Sequence, residues 1–340
     1  MYMWIFVLGT AVAGERPECI QKYSPSLMSK MAAEISGHVA IVALLRDSER
    51  ILPHFERAVL SASHQLGEHR VFVSILESAS KDGTAHRLSN FQRRLQGQGI
   101  AHSIKYGNPP GLLHFVPGNP ASGNRIEFLA TLRNAALGPV LTRERVVSKV
   151  AYLNDVILCG GDILRLLSHD VDMACAYDFN GGGNFWDNWV YEELEGSRNA
   201  LKAFERTKGP DPLRNEDVVP VVACWNGAVA FRAQPLYEGL RFRRGFHRPN
   251  DCAQSECSLF CLDLRKRGYT RIIADPTVQV FYQQSSLKQL RMLSGKPREP
   301  LQNFSLPVSW RCCELLDNGR KSINWNLCRR QLLGPLLAAR

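Results

Sequence analysis

Apolar residues along the chain fall into short unbroken runs separated by longer stretches of helical spacing. Residues 38–45 (HVAIVALL) are almost wholly apolar and rich in β-branched side chains. Such a short run predicts a strand covered on both faces, as in a parallel sheet. From about 48 to 66, Ile51, Phe55, Val59 and Ala62 recur near helical spacing. Residues 71–76 (VFVSIL) predict a second strand, Asp82-Gly83 a turn, and 85–96 a second helix stopped by Gly97 and Gly99. Strand, helix, strand, helix is the opening of a doubly wound sheet.

The Pro- and Gly-rich stretch 108–124 reads as a loop, and 125–137 as a helix with Phe128, Leu129, Leu132 and Ala136 on one side. Further strands are expected at 146–153 and 172–179, with a helix between them starting near Asp162. Residues 218–231 read as two strands broken at Asn226-Gly227. A helix is expected from 255 to about 267, stopped by Gly268, and a last strand at 277–281. The glycine run in 180–184, followed by Phe185-Trp186-Asp187-Asn188-Trp189, predicts a mobile lid carrying aromatic rings. The fold class is therefore α/β: a Rossmann-type, mostly parallel sheet with flanking helices. The expected organisation is a signal peptide or truncated membrane anchor at 1–14 and a stem or linker at 15–37. A catalytic domain then covers 38–285, and an irregular polar extension 286–340.

Candidate chemistry concentrates where apolar runs end, because ligands of open α/β sheets gather beyond the carboxyl ends of the strands. Asn154 and Asp155 follow one such run, and a carboxylate there can hold a divalent cation against a diphosphate. A turn or helix cap accounts for the same pair equally well. Glu77, Ser78 and Asp82 follow the second strand and suit contacts to a nucleoside, or simple loop capping. Arg46 follows the first strand, where it can meet phosphate or a neighbouring carboxylate. Glu256 opens a helix, and its acid either complements the helix dipole or faces a sugar. Trp186, Asp187, Trp189, Trp225 and Asn226 combine rings, an acid and an amide, as sugar recognition requires. Gly-x-Ser-x-Gly, Gly-x-Gly-x-x-Gly and Walker patterns are all missing from the sequence.

Several ordered blocks carry a resemblance: Leu153-Asn154-Asp155-Val156, Asp162-Ile163-Leu164, Asp172-Met173-Ala174-Cys175-Ala176, Trp186-Asp187-Asn188-Trp189-Val190, Cys224-Trp225-Asn226-Gly227, Ser255 to Cys261, and Asp275-Pro276-Thr277-Val278. Across roughly 38–285 the chain resembles the fungal α-1,3-mannosyltransferase family that includes the capsule-associated proteins. The resemblance implies a GT-A-like fold and transfer of mannose from GDP-mannose to a glycan acceptor, with retention at the anomeric carbon. It also implies a divalent metal, Mn²⁺ or Mg²⁺, held at Asp155, and a Golgi-type luminal location. Glu77 matches the donor-nucleoside segment, and Glu256, with Asp187, falls to the catalytic and acceptor side. Transfer of another sugar, or a luminal accessory protein that binds glycan without turnover, stays open.

Charge and cysteines refine this picture only slightly. Lys and Arg outnumber Asp and Glu by 42 to 32, which favours an anionic partner such as a sugar nucleotide. The densest basic group, Arg241, Arg243, Arg244 and Arg248, is too sparse for a nucleic-acid arm, so no nucleic-acid partner is expected. The apolar N-terminus suggests a secretory address and possible membrane association. Among ten cysteines, Cys257 and Cys261 read as buried hydrophobes, and Cys312, Cys313 and Cys328 as disulfide candidates.

Overall fold

The computed structural model describes residue 19 and residues 22–112, 124–180, 185–187, 189–193, 218–245, 255–283, 314–317 and 320–323. Six strands of one mixed sheet run in the same direction: β1 (Val39–Leu45), β2 (Val71–Glu77), β3 (Ala101–Tyr106), β4 (Lys149–Leu153), β5 (Met173–Phe179) and β9 (Ile272–Phe281). Antiparallel to these runs β8 (Ala228–Arg232), inserted between β4 and β5. β7 (Val219–Ala223) and the two-residue β6 (Glu192–Glu193) complete the sheet, whose order is β3-β2-β1-β4-β8-β5-β9-β7-β6. This is the expected GT-A-like α/β architecture, a mostly parallel sheet with antiparallel strands mixed in. The two strands expected within 218–231 are present, but they pair with different partners and do not form a hairpin.

Helices α1 (Pro25–Glu34), α2 (Leu52–Leu66) and α5 (Gly160–Ser168) pack on one another, with α3 (Thr84–Gly97) beside α2. Helix α4 (Arg125–Leu141) covers β1 and β2 and meets α7 (Glu256–Lys266), while the short α6 (Gln234–Tyr237) follows β8. The strands of the core are buried on both faces, as their unbroken apolar runs require. Ser74, the polar exception in β2, donates its hydroxyl to the Ala136 carbonyl of α4.

Residues 15–37, expected as a stem, are in part core. Ser24 caps α1, and Cys19, Tyr23, Met28, Met31 and Ile35 are buried. The Tyr23 hydroxyl donates to Asp162 at 2.7 Å, and Lys22 pairs with the same carboxylate at 2.6 Å. Tyr23 packs so closely on Gly161 that a Cβ there would lie 2.3 Å from its ring, which is why α5 opens with glycine.

Two disulfides join cysteines that the sequence reading did not single out for pairing. Cys19 joins Cys159, the N-cap of α5, and Cys175 of β5 joins Cys224 just past β7. Cys257 and Cys261 are free and buried, as read. The candidates Cys312, Cys313 and Cys328 lie outside the described residues, as does the apolar N-terminus. In the C-terminal region, read as irregular, β10 (Glu314–Asp317) pairs with β11 (Arg320–Ile323). No described helix is long and apolar enough to cross a membrane. Because the Cys19–Cys159 link closes 140 residues, Cys19→Ser is expected to cost about 2–4 kcal/mol of stability, read by urea denaturation with and without reductant.

Candidate active site

Because six strands share one direction, their carboxyl ends meet at one edge. That edge collects Arg46 after β1, Ser78 after β2, Asn154 and Asp155 after β4, Asp178 at the end of β5 and Tyr282 after β9. Order reverses between β1 and β4, the switch point where α/β sheets open a crevice. β8 runs the other way, so its start lies beside the end of β4. Gly227, at φ +76°, accepts the Asn154 N–H at 2.8 Å, which places the Trp225-Asn226-Gly227 turn under the same edge.

A cleft of about 330 Å³ opens there. Its donor-side wall contains Arg46, Ser78, Asn154 and Asp155, and its other wall contains Trp186, Asp187, Trp189, Ser255 and Glu256. Helix α4 roofs it with one face: Arg125, Phe128, Leu129, Leu132 and Arg133. Nine of the predicted site residues therefore share one cavity: Arg46, Ser78, Asn154, Asp155, Trp186, Asp187, Trp189, Trp225 and Glu256. Arg125 and Arg133 escaped the sequence reading. Their spacing of eight, two helical turns, on a face otherwise apolar was the available signal.

Asp155 is half-buried, and burial raises its carboxyl to about 6, against which Arg133 works weakly. Among the described residues its side chain forms no ion pair. Asp178 is fully buried and likewise raised to about 6 by burial. It accepts from Asn226 Nδ2 (2.9 Å), the Asp187 N–H (3.2 Å) and the Tyr282 hydroxyl (3.2 Å), all neutral donors. Asp187 is raised as well, chiefly by burial, and accepts the Trp189 N–H at 3.1 Å. Glu256 sits at the first turn of α7, whose N-cap is Ser255, and accepts Arg133 Nε at 3.0 Å.

Three predicted contacts lie outside the cleft lining, and a fourth reaches only its floor. Glu77 is buried and accepts the Ser80 N–H at 2.5 Å, outside the cleft lining. Asp82 accepts the Thr84 and Glu49 N–H groups, each at 3.0 Å, so it holds the loops after β1 and β2 together. Asn226 is fully buried and bonds Asp178 and the Asp187 carbonyl, which makes it a bracket rather than a sugar contact. Trp225 is core: its ring packs on Tyr152, Phe242 and Phe260, and only a face under Arg133 reaches the cleft floor.

The half of the expected lid that carries the rings is tied to the sheet. Phe185 is buried against Tyr177, Phe179 and Tyr191, and the Trp186 N–H donates to the Asp178 carbonyl. Trp186 and Trp189 stay about half exposed, at the cleft mouth, on an anchored backbone. The glycines 181–183 lie outside the described residues. Of the basic group, Arg243 pairs with Asp263 at 2.6 Å and Arg244 with Glu127 at 2.7 Å, while Arg241 donates to backbone carbonyls.

A divalent cation fits the donor chemistry at the β4 exit. An oxygen-ligated cation on a phosphate substrate needs only one or two protein carboxylates. Asp155 supplies one that is desolvated and without a cationic partner among the described residues. No group of three or more His, Cys, Asp or Glu assembles a closed metal cage among those residues.

The chain is 26% identical over 320 residues to the α-1,3-mannosyltransferase CMT1 of Cryptococcus neoformans var. neoformans serotype D, covering 83% of this chain and 64% of that protein. The chain thus spans less than two thirds of that relative's length. Among solved structures it is similar to the mannosyltransferase PcManGT of Pyrobaculum calidifontis in complex with GDP-Man and Mn²⁺. That match has a TM-score of 0.43 at 13% identity, over 76% of this chain and 64% of that one. It is also similar to glucosyl-3-phosphoglycerate synthase of Mycobacterium tuberculosis, with a TM-score of 0.38 at 15% identity, over 86% and 92%. A family model matches residues 38–263, most of the chain, and the protein therefore belongs to the family described as Cryptococcal mannosyltransferase 1.

Proposed function

We propose that this protein is a hexosyltransferase that moves mannose from GDP-mannose to a glycan acceptor, in α-1,3 linkage and with retention. The observation that carries the reading is Asp155: a half-buried, unneutralised carboxylate at the switch point of the sheet, facing a cleft that also holds Arg46 and Arg125. Family membership supports the sugar class and the linkage. Asp155 would hold Mn²⁺ or Mg²⁺, which when bound stabilises the charge of a departing nucleoside diphosphate. Arg46 and Arg125 add positive charge on the same side. Trp186 and Trp189 offer exposed rings to the acceptor, and the anchored segment between them brings Asp187 to the sugar side. Two disulfides suit an oxidising compartment, in keeping with a luminal, secretory-pathway address.

One competing reading is a luminal accessory protein that binds sugar nucleotide or glycan without turnover. One screen separates the two. GDP-mannose and other sugar nucleotides are incubated with the protein in Mn²⁺, in Mg²⁺ and in chelator, and release of nucleoside diphosphate is measured. The transferase reading requires metal-stimulated release that is greatest with GDP-mannose. Binding without release from any donor would leave the accessory reading standing.

A further inference from the structure

Arg133 is a buried arginine in the wall of the cleft, and its guanidinium is engaged in two directions. Nε donates to Glu256 Oε1 at 3.0 Å, and Nη1 donates to Asn154 Oδ1 at 3.1 Å. Its Cζ lies 5.5, 5.2 and 5.7 Å from the ring centres of Tyr152, Trp225 and Phe242. Three rings and two polar partners leave the group little freedom, since its plane and its fork are both fixed. The two partners belong to different parts of the site. Glu256 begins α7, and Asn154 begins the exit of β4 immediately before Asp155. One planar group therefore spans the acceptor-side and donor-side walls.

Stability alone is a weak account of such a group. A buried ion pair costs desolvation that its attraction barely repays, and apolar replacements of the same shape often do as well. What an apolar replacement cannot do is aim a carboxylate and an amide at once. Lysine could reach either partner as a point charge, but not both with a rigid fork.

We propose that Arg133 is the positioning residue of this cleft, holding Glu256 on one wall and the Asn154-Asp155 exit on the other in a single register without itself contacting the transferred sugar. The inference rests on the glycosyl-transfer reading of the cleft. It assigns Glu256 to orienting the acceptor side: Oε1 faces Arg133, and Oε2 lies 3.3 Å from the Ser255 hydroxyl.

The test has a kinetic arm and an arm that needs no turnover. Arg133→Lys is expected to lower kcat about 100-fold while the donor KM stays within about threefold, the pattern of lost alignment rather than lost binding. Glu256→Gln should cause a similar loss, and the double variant should fall no more than about threefold below the worse single one, because partners in one unit are not additive. In hydrogen exchange, Arg133→Lys should speed exchange at 154–157 and 256–259 together, with the rest of the domain and its melting temperature little changed. Should that variant not fold, Asn154→Ala removes one arm only, and exchange should rise at 154–157 while 256–259 keeps its protection. Wild-type kcat in Arg133→Lys, losses that multiply in the double variant, exchange that rises at one wall only in Arg133→Lys, or unchanged exchange at 154–157 in Asn154→Ala would each overturn the proposal. A wild-type protein inert toward every sugar nucleotide would sink the transferase reading, and the exchange arm would still decide whether Arg133 aligns the two walls.

Discussion

Asp155→Asn is expected to lower metal-stimulated sugar-nucleotide turnover by about 10³-fold or more, in the range seen when a group stabilising transition-state charge is removed. The amide keeps the shape and one acceptor oxygen but loses the charge that would hold the cation. The same change should not harm the fold, and the sign of its effect can be worked out. Burial raises the Asp155 carboxyl to about 6, above the value of about 3.9 for an unfolded chain. Between those two values the folded state binds the proton and the unfolded state does not, so stability falls as pH rises from about 4 to 6. Above about 6 the full cost of keeping a desolvated, unpaired carboxylate is present. A neutral amide at this position avoids that cost, and the variant should melt at or above the wild-type temperature at pH 7. Chelator should mimic the kinetic loss in the wild type, and Mn²⁺ should reverse it there but not in the variant. Cation binding should also weaken as pH drops below about 6, because the cation then competes with a proton. Full turnover in the variant, or a large drop in its melting temperature, would remove Asp155 from the donor site.

Burial on both faces and tertiary pairing decide which parts of the molecule were legible in the sequence. β1 and β2 were clear because strands covered on both faces leave unbroken apolar runs. β3 (AHSIKY) was not read at all. It is an edge strand, half exposed, and its pairing comes from the neighbouring β2 rather than from its own pattern. Asp155 stood out as an acid just past an apolar run. Asp178 did not, because it lies inside one, and only the tertiary meeting of Asn226, Asp187 and Tyr282 explains an acid there. Trp225 and Asn226 carried the right side chains for sugar, but the direction of β8 turns them under the sheet edge. Disulfide partners 140 and 49 residues apart depend wholly on the packed fold. Arg133 was hidden as one polar residue in a helix whose apolar periodicity already accounted for it.

The last expectation concerns Asp275, on which the far side of the site depends. β9 pairs with β5 from Ile272, but the register shifts between Cys175 and Tyr177, and Asp275 and Pro276 lie in the bulge. The shift frees backbone groups from the ladder, and proline could not have donated to it. Asp275 takes up the slack. Its Oδ1 accepts the Thr277 N–H at 2.9 Å and the Thr277 hydroxyl at 2.6 Å. Its Oδ2 accepts Arg165 Nε at 2.7 Å, and His169 Nε2 lies 2.8 Å away. All of this is sealed in the core, since Asp275, Arg165 and His169 are each at most 1% exposed. Burial works against ionisation of Asp275, but the Arg165 charge, followed by the His169 and Thr277 contacts, overrides it and holds the carboxyl far below the usual range. Asp275→Asn would leave the Arg165 guanidinium buried without its counter-charge, at a cost of about 3–5 kcal/mol. Arg165→Met together with Asp275→Leu should recover much of that loss, because no charge then remains in the core. The pH dependence follows from a depressed folded value. The stabilisation is complete above the unfolded value of about 3.9 and is lost as pH falls below it, so the double variant should show a flatter acid limb than the wild type. Urea denaturation across pH 2–7, chosen to bracket that value of about 3.9, measures both effects. Since β9 ends at Phe281 and leads into Tyr282 of the cleft, Asp275→Asn should also weaken donor binding, at temperatures where the fold persists. A loss of less than about 1 kcal/mol in Asp275→Asn would mean that water or backbone rearrangement compensates Arg165, and that the bulge is held by the Thr277 contacts alone.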